Sequence, residues 1–146
     1  MNKAVEAFLS QTDEQHLVEA IRIAESETSG EIRVHIEATS HGNIDERTLE
    51  VFNVLNMHKT EKRNGVIIYV AVEDREFSIY GDEGINTKVE TDFWDTTKTV
   101  IQDQFKKGEF AEGLKQGILK AGNQLQHYFP KEENDVDELP NTISKG

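Results

Sequence analysis

Three short segments far apart in the chain share one chemical character. Thr28–Ser29–Gly30–Glu31, Arg63–Asn64–Gly65 and Gly81–Asp82–Glu83–Gly84 each set a glycine beside polar or acidic side chains. Glycine allows close backbone approach and can turn carbonyl oxygens toward a ligand, while carboxylates supply hard anionic oxygen. Glu31, Asp82 and Glu83, with Asp92 a little further on and Asn64 and Asn86 as neutral donors, form a candidate oxygen donor set. That set suits Ca2+ or Mg2+. Carboxylates crowded without a cation repel one another, so a bound ion would also quieten the loops. The competing reading is bland: Gly–Asp and Asn–Gly are common turn dipeptides, and glutamates on solvated loops usually bind nothing.

Other chemistries find less support. With no cysteine, the chain has no disulfide, no thiolate nucleophile and no cysteine-bound zinc or iron–sulfur cluster. The acidic loops do not follow the EF-hand spacing, and neither a phosphate-cradling Gly-x-x-x-x-Gly-Lys-Ser/Thr, a Gly-x-Ser-x-Gly elbow nor a His-Glu-x-x-His pair occurs. His16, His35, His41, His58 and His127 fall in different elements, and His35 reads as a solvated or partly covered surface group. Thr28 and Ser29 have no base beside them in sequence, Asp74–Arg75 reads as a salt-bridged turn, and Phe93–Trp94 read as core anchors.

The chain has 146 residues, of which 36% are hydrophobic, which is enough for one continuous core. Sixteen basic against 28 acidic residues give a net charge of −12, which repels nucleic acid and anionic membranes and favours cations. No apolar run of signal-peptide or membrane-spanning length occurs, so a soluble, monomeric cytoplasmic protein is expected.

The elements that must position the loops follow from periodicity. Thr12 with Gln15 matches a capping box for a helix over about 13–27, with Leu17, Ala20, Ile21 and Ala24 on its buried stripe. Ile32, Val34 and Ile36 alternate with polar residues over 31–37, the period of a strand. Asn43 with Glu46 starts a second helix reaching about Met57, and Gly65 to Val72 is an apolar run fit for a central strand. Strand, helix and strand predict a parallel βαβ unit, and Phe77 to Tyr80 predicts an antiparallel hairpin partner. Thr91 or Asp92 can cap a helix ending near Gly108. A last helix carries Ala111, Leu114, Ile118, Ala121 and Leu125 on one seam and ends before Pro130. Residues 1–130 are expected to form one domain and 131–146 a mobile acidic tail. In this topology the starts of the two parallel strands and the end of the third lie at one edge, where the three loops converge.

Taken in order, the chain resembles the TPM domain family over about residues 13 to 130. The resemblance rests on Thr28–Ser29–Gly30–Glu31–Ile32, Arg63–Asn64–Gly65–Val66, Asp74–Arg75, Gly81–Asp82–Glu83–Gly84–Ile85 and the stretch Phe105 to Leu114. It implies a three-layer α/β/α sandwich around a small mixed, mostly parallel sheet with an antiparallel hairpin strand. It also implies divalent-cation binding, calcium in particular, by acidic loops at one end of the sheet. Phosphatase activity is attributed to the family, although no nucleophile or base here supports it. The chain is most similar to the short stand-alone bacterial type. The expected function is therefore a non-catalytic calcium- or magnesium-binding domain with a regulatory or partner-binding role. The alternative is a metal-dependent acid phosphatase acting on phosphomonoesters, in which the ion polarises phosphoryl oxygen and activates water.

Overall fold

The structure, a computed structural model, describes residues 2–132 and 138–146. Helix α1 spans Lys3–Phe8 and α2 spans Gln11–Glu25; strand β1 is Glu31–Glu37, and α3 is Ile44–Val54. A 3-10 turn at Met57–Lys59 leads into β2, Gly65–Ala71, and β3, Glu76–Gly81. Helix α4 is the short Glu83–Asn86, α5 is Asp95–Lys106, α6 is Phe110–Gln126, and β4 is Ser144–Lys145.

The sheet has the order β3-β2-β1-β4. β1 and β2 run parallel with Glu31 opposite Gly65 and Glu37 opposite Ala71, while β2 and β3 pair antiparallel from Val66–Gly81 to Ala71–Glu76. Ile32, Val34, Ile36, Val66, Ile68 and Val70 point to one face, where they form the main core with Leu17 and Ile21 of α2, Ile101 of α5, and Leu114, Ile118 and Leu125 of α6. Ile67, Tyr69 and Ala71 point to the other face and meet Val51 and Phe52 of α3, Met57 and Leu139. β2 is buried at every position because both faces are covered, which is why it reads as an unbroken apolar run. The three-layer α/β/α sandwich around a mixed sheet is the expected fold.

Several local expectations give way. α2 is capped by Ser10, whose hydroxyl accepts from the Asp13 amide while the Asp13 carboxylate accepts from the Ser10 amide, so the capping box lies two residues before the Thr12–Gln15 pair. α5 starts at Asp95, with Trp94 as an N-cap that gives no side-chain bond, because residues 91–94 form a turn that seats Trp94 against Gly81 and Ile85 in the core. Asn43 caps α3 as expected, accepting from the Glu46 amide.

The tail differs most. Residues 133–137 of the expected mobile segment lie outside the described residues. Residues 138–146, however, lie on the sheet: Leu139 is buried, His35 and Ile36 register with Ser144 and Lys145, and the Gly146 amide donates to the Ile36 carbonyl at 2.9 Å. β1 would otherwise present an open row of backbone groups and a polar face, and the tail satisfies part of both. Among the described residues, no helix is long and apolar enough to cross a membrane.

Candidate functional site

The three loops do meet at one rim. The Glu31 amide donates to the Asn64 carbonyl at 3.3 Å, the Asp82 amide to the Gly65 carbonyl at 2.9 Å, and the Gly84 amide to the Arg63 carbonyl at 2.9 Å. The Asn64 side-chain amide reaches the Ser29 hydroxyl at 3.4 Å. Gly84 is required by this closeness, since a Cβ there would stand 2.2 Å from the Lys62 carbonyl oxygen. The first loop is anchored from behind, where the Phe129 carbonyl accepts from the Ser29 amide and from the Thr28 hydroxyl.

At the centre of the rim stands a cation that belongs to the chain. Arg63, the one basic residue of the three loops, sits at a left-handed φ of 51°. Its Nε donates to Asp82 Oδ2 at 2.7 Å, its Nη2 to Asp82 Oδ1 at 2.9 Å and its Nη1 to Glu83 Oε1 at 3.0 Å. The Asp82 side chain is 1% exposed and also caps α4 through the Glu83 amide, whereas the Glu83 side chain is largely exposed. A buried carboxylate needs such a partner, and the bidentate fork is the strongest form of it. The hydrogen bonds it donates to Asp82 raise the pKa of Arg63 above its ordinary value.

The remaining candidates are placed less centrally. Glu31 is buried, and its Oε1 accepts from the Glu138 and Leu139 amides at 2.7 and 2.6 Å, so it holds the tail. Asn64 is buried within the rim. Asn86 and Asp92 are exposed, and among the described residues neither side chain joins the hydrogen bonds of the rim. Among the described residues, no three carboxylates or histidines group into a metal-binding cluster. Periodicity placed the loops at one edge, but the bidentate pairing of Arg63 needs the side-chain directions that only the folded chain supplies.

A second polar cluster lies at the far end of β1, where a solvated His35 was expected. His35 is buried and stacks on Tyr69, with ring centroids 5.8 Å apart. Its Nδ1 meets Ser144 Oγ at 2.8 Å and its Nε2 meets Glu37 Oε1 at 3.1 Å. Arg47 of α3 donates to both Glu37 oxygens at 2.7 and 3.0 Å, and the Tyr69 hydroxyl donates to Glu37 as well. Burial alone would raise the Glu37 pKa, but the bonds from Arg47, Tyr69 and His35 outweigh it and hold the carboxyl down at about 2. Burial lowers the pKa of His35, and burial together with Glu37 raises that of Tyr69. Ser144, His35 and Glu37 share the residue types of a nucleophile, a base and an orienting carboxylate. The chain leaves them no room for a substrate: a Cβ on Gly146 would fall 2.5 Å from Glu37 Oε1 and 3.0 Å from His35 Nε2. The cluster is the polar interior under the tail.

Asp74 forms no salt-bridged turn with Arg75. It accepts from the Thr39 hydroxyl and the Ser40 amide, each at 2.9 Å, and so ties the loop after β1 to the β2–β3 hairpin. Trp94 is buried as a core anchor, as expected.

The sequence model of the family described as TPM domain matches residues 4–124. The NMR structure of BA42 protein from the psychrophilic bacterium Bizionia argentinensis is 57% identical and superposes with a TM-score of 0.92, covering 97% of this chain and 98% of that one. The N-terminal domain of a protein from P. gingivalis shares the fold at 17% identity and a TM-score of 0.66, over 90% of this chain and 85% of that one. The N-terminal domain of cg2496 protein from Corynebacterium glutamicum does so at 13% identity and 0.64, over 89% and 81%. No curated protein matches the chain.

Proposed function

The chain belongs to the TPM domain family, and from that premise we propose that it is a non-catalytic domain that binds a divalent cation, calcium or magnesium, at the loop rim and acts on a protein partner through that rim. One observation carries the reading: the rim already holds a cation, the Arg63 guanidinium, between a buried Asp82 and an exposed Glu83. The guanidinium is a stand-in ion on a half-exposed side chain, so a divalent ion can compete for the same oxygens.

Asp82, Glu83 and Asn64 are the residues that would hold the ion. A bound ion would supply charge neutralisation and order to the loops, leaving Arg63 free to face a partner. Glu31, engaged with the tail, and the exposed Asp92 and Asn86 stand outside this reduced set. The chain is taken to act as a monomer.

Calcium titration followed by amide NMR tests this on the wild type and on Arg63→Gln. Shifts at residues 28–31, 63–65 and 81–84 are expected at millimolar ion in the wild type. Arg63→Gln should bind more tightly, because the internal competitor is gone while both carboxylates remain. Absence of rim shifts in both proteins at millimolar calcium and magnesium sinks the reading. Hydrolysis of aryl phosphates with calcium, magnesium or manganese, above the level of an Asp82→Ala control, would transfer support to the phosphatase alternative.

A further inference from the structure

At the end of β2 away from the rim, a groove of about 690 Å³ opens between α1, the β2–β3 hairpin and the α5–α6 corner. Its volume lies within the range of sites that take small molecules. The wall is aromatic. Phe105 meets Phe8, Phe77 and Phe110 edge-on at 6.2, 5.4 and 5.4 Å between centroids, and Phe8 lies 4.8 Å from Phe110. Phe110 remains 37% exposed, so apolar ring surface faces the opening.

The mouth has the opposite sign to the molecule. Arg75 and Lys106 line it, both exposed, and among the described residues neither makes an ion pair; Glu76 is the one carboxylate in the lining. On a chain of net charge −12 this is a locally positive opening onto an apolar floor. Arg75 also holds a left-handed φ of 56°, a conformation that costs a residue with a Cβ about 1 kcal/mol or more and that glycine adopts freely. With no ion-pair partner among the described residues, the Arg75 guanidinium is available to a ligand at the mouth.

We propose that this groove binds a small amphipathic carboxylate, a free medium-chain fatty acid, with its alkyl chain on the Phe8–Phe105–Phe110 wall and its carboxylate on Arg75 and Lys106. Each half of the ligand finds its complement: burial of the chain supplies the drive and the bidentate guanidinium fixes the head. Glu76 is the one carboxylate of the lining and opposes two cations there, and the more distant part of the acidic surface is screened over the Debye length, about 8 Å at physiological salt. The inference does not depend on the cation reading, since no groove residue lies in the rim.

Amide NMR of the whole chain with decanoate below its micellar concentration tests it. Saturable shifts are expected across residues 70–77 and 105–110, with decanol and decyltrimethylammonium binding more weakly. Arg75→Gly combined with Lys106→Gln should weaken decanoate about a hundredfold, the effect of losing two charge-assisted contacts, and leave decanol unchanged. The glycine relieves the backbone at position 75, so the variant should fold at least as well as the wild type, which a melting curve checks. The proposal is overturned if decanoate gives no saturable shift in the groove, if its shifts map elsewhere, for example to the shallow Ile23–Leu119 groove, or if the alcohol or the cationic amphiphile binds the groove as tightly.

Discussion

Replacing Glu37 by glutamine keeps the shape of the buried cluster and removes its charge. Arg47 and Tyr69 would then face a neutral amide, whose nitrogen cannot accept from the guanidinium or the hydroxyl. Breaking a buried pair from one side leaves the other charge uncompensated, and Arg47 reaches only partly to solvent. Urea denaturation should show Glu37→Gln destabilised by about 2–4 kcal/mol, in line with loss of one partner of a buried, hydrogen-bonded charge. At the rim Gly84→Ala has a steric cause instead: the new methyl would overlap the Lys62 and Arg63 carbonyl oxygens, at 2.2 and 2.5 Å, and neither is the end of a flexible side chain. The variant should lose about 2–4 kcal/mol by the same measurement, and calcium-dependent rim shifts should weaken with it, since the backbone must move where the loops meet. Were Gly84→Ala as stable as the wild type, the close packing of the second and third loops would be wrong.

Between helices the same steric logic explains glycines that propensity would exclude. Gly122 lies in the middle of α6, where alanine would ordinarily stabilise a helix by up to about 1 kcal/mol. A Cβ there would stand 2.7 Å from Ala24 Cβ and 3.1 Å from the Ala24 carbonyl oxygen, so the backbones of α2 and α6 touch at this point. Gly122→Ala should therefore lower the melting temperature, against its helix propensity, whereas a contact made only by long side chains would let the alanine stabilise. Elements such as these show where sequence reading ends. The strands, the parallel crossover and the last helix follow from periods of two and 3.6, because Ile32–Val34–Ile36 and Leu114–Ile118–Leu125 are laid out for one face each. The capping box differs because Ser10–Asp13 and Thr12–Gln15 each place a hydroxyl three residues before a side chain that can accept in return, and the folded chain forms the first. His35 and Glu37 do alternate with the apolar residues of β1, yet what covers His35 and engages Glu31 is a tail more than a hundred residues away, joined by a few hydrogen bonds with no periodic signature. For the rim, the convergence of loops was topological and hence readable, while the engagement of Arg63 with Asp82 depended on side-chain directions that spacing does not encode.

For the molecule as a whole, two electrostatic effects act in different pH windows and on different length scales. His35 is held below its ordinary pKa of 6.5, so as the pH falls through that value the unfolded chain takes a proton that the folded chain refuses, and stability drops. Glu37 is held near 2 against an ordinary 4.5, so its contribution is full above about 4.5 and is lost as the pH falls toward 2. Chemical denaturation across pH should give two acid steps, and Glu37→Gln should show a smaller lower one, since Asp74 is also held below its ordinary value; a lower step of equal size in both proteins would contradict the cluster. The surface charge of −12 works otherwise, as diffuse self-repulsion that salt screens. Any salt therefore stabilises the fold near neutral pH, and a calcium effect counts as binding only in excess of that background. Melting temperatures in calcium chloride and in sodium chloride of matched ionic strength separate the two. If calcium occupies the rim at 100 times its dissociation constant, it adds about 2.7 kcal/mol over the sodium control. That excess should vanish in Asp82→Asn, where the buried carboxylate shared by Arg63 and the ion is neutral, while the response to sodium chloride stays.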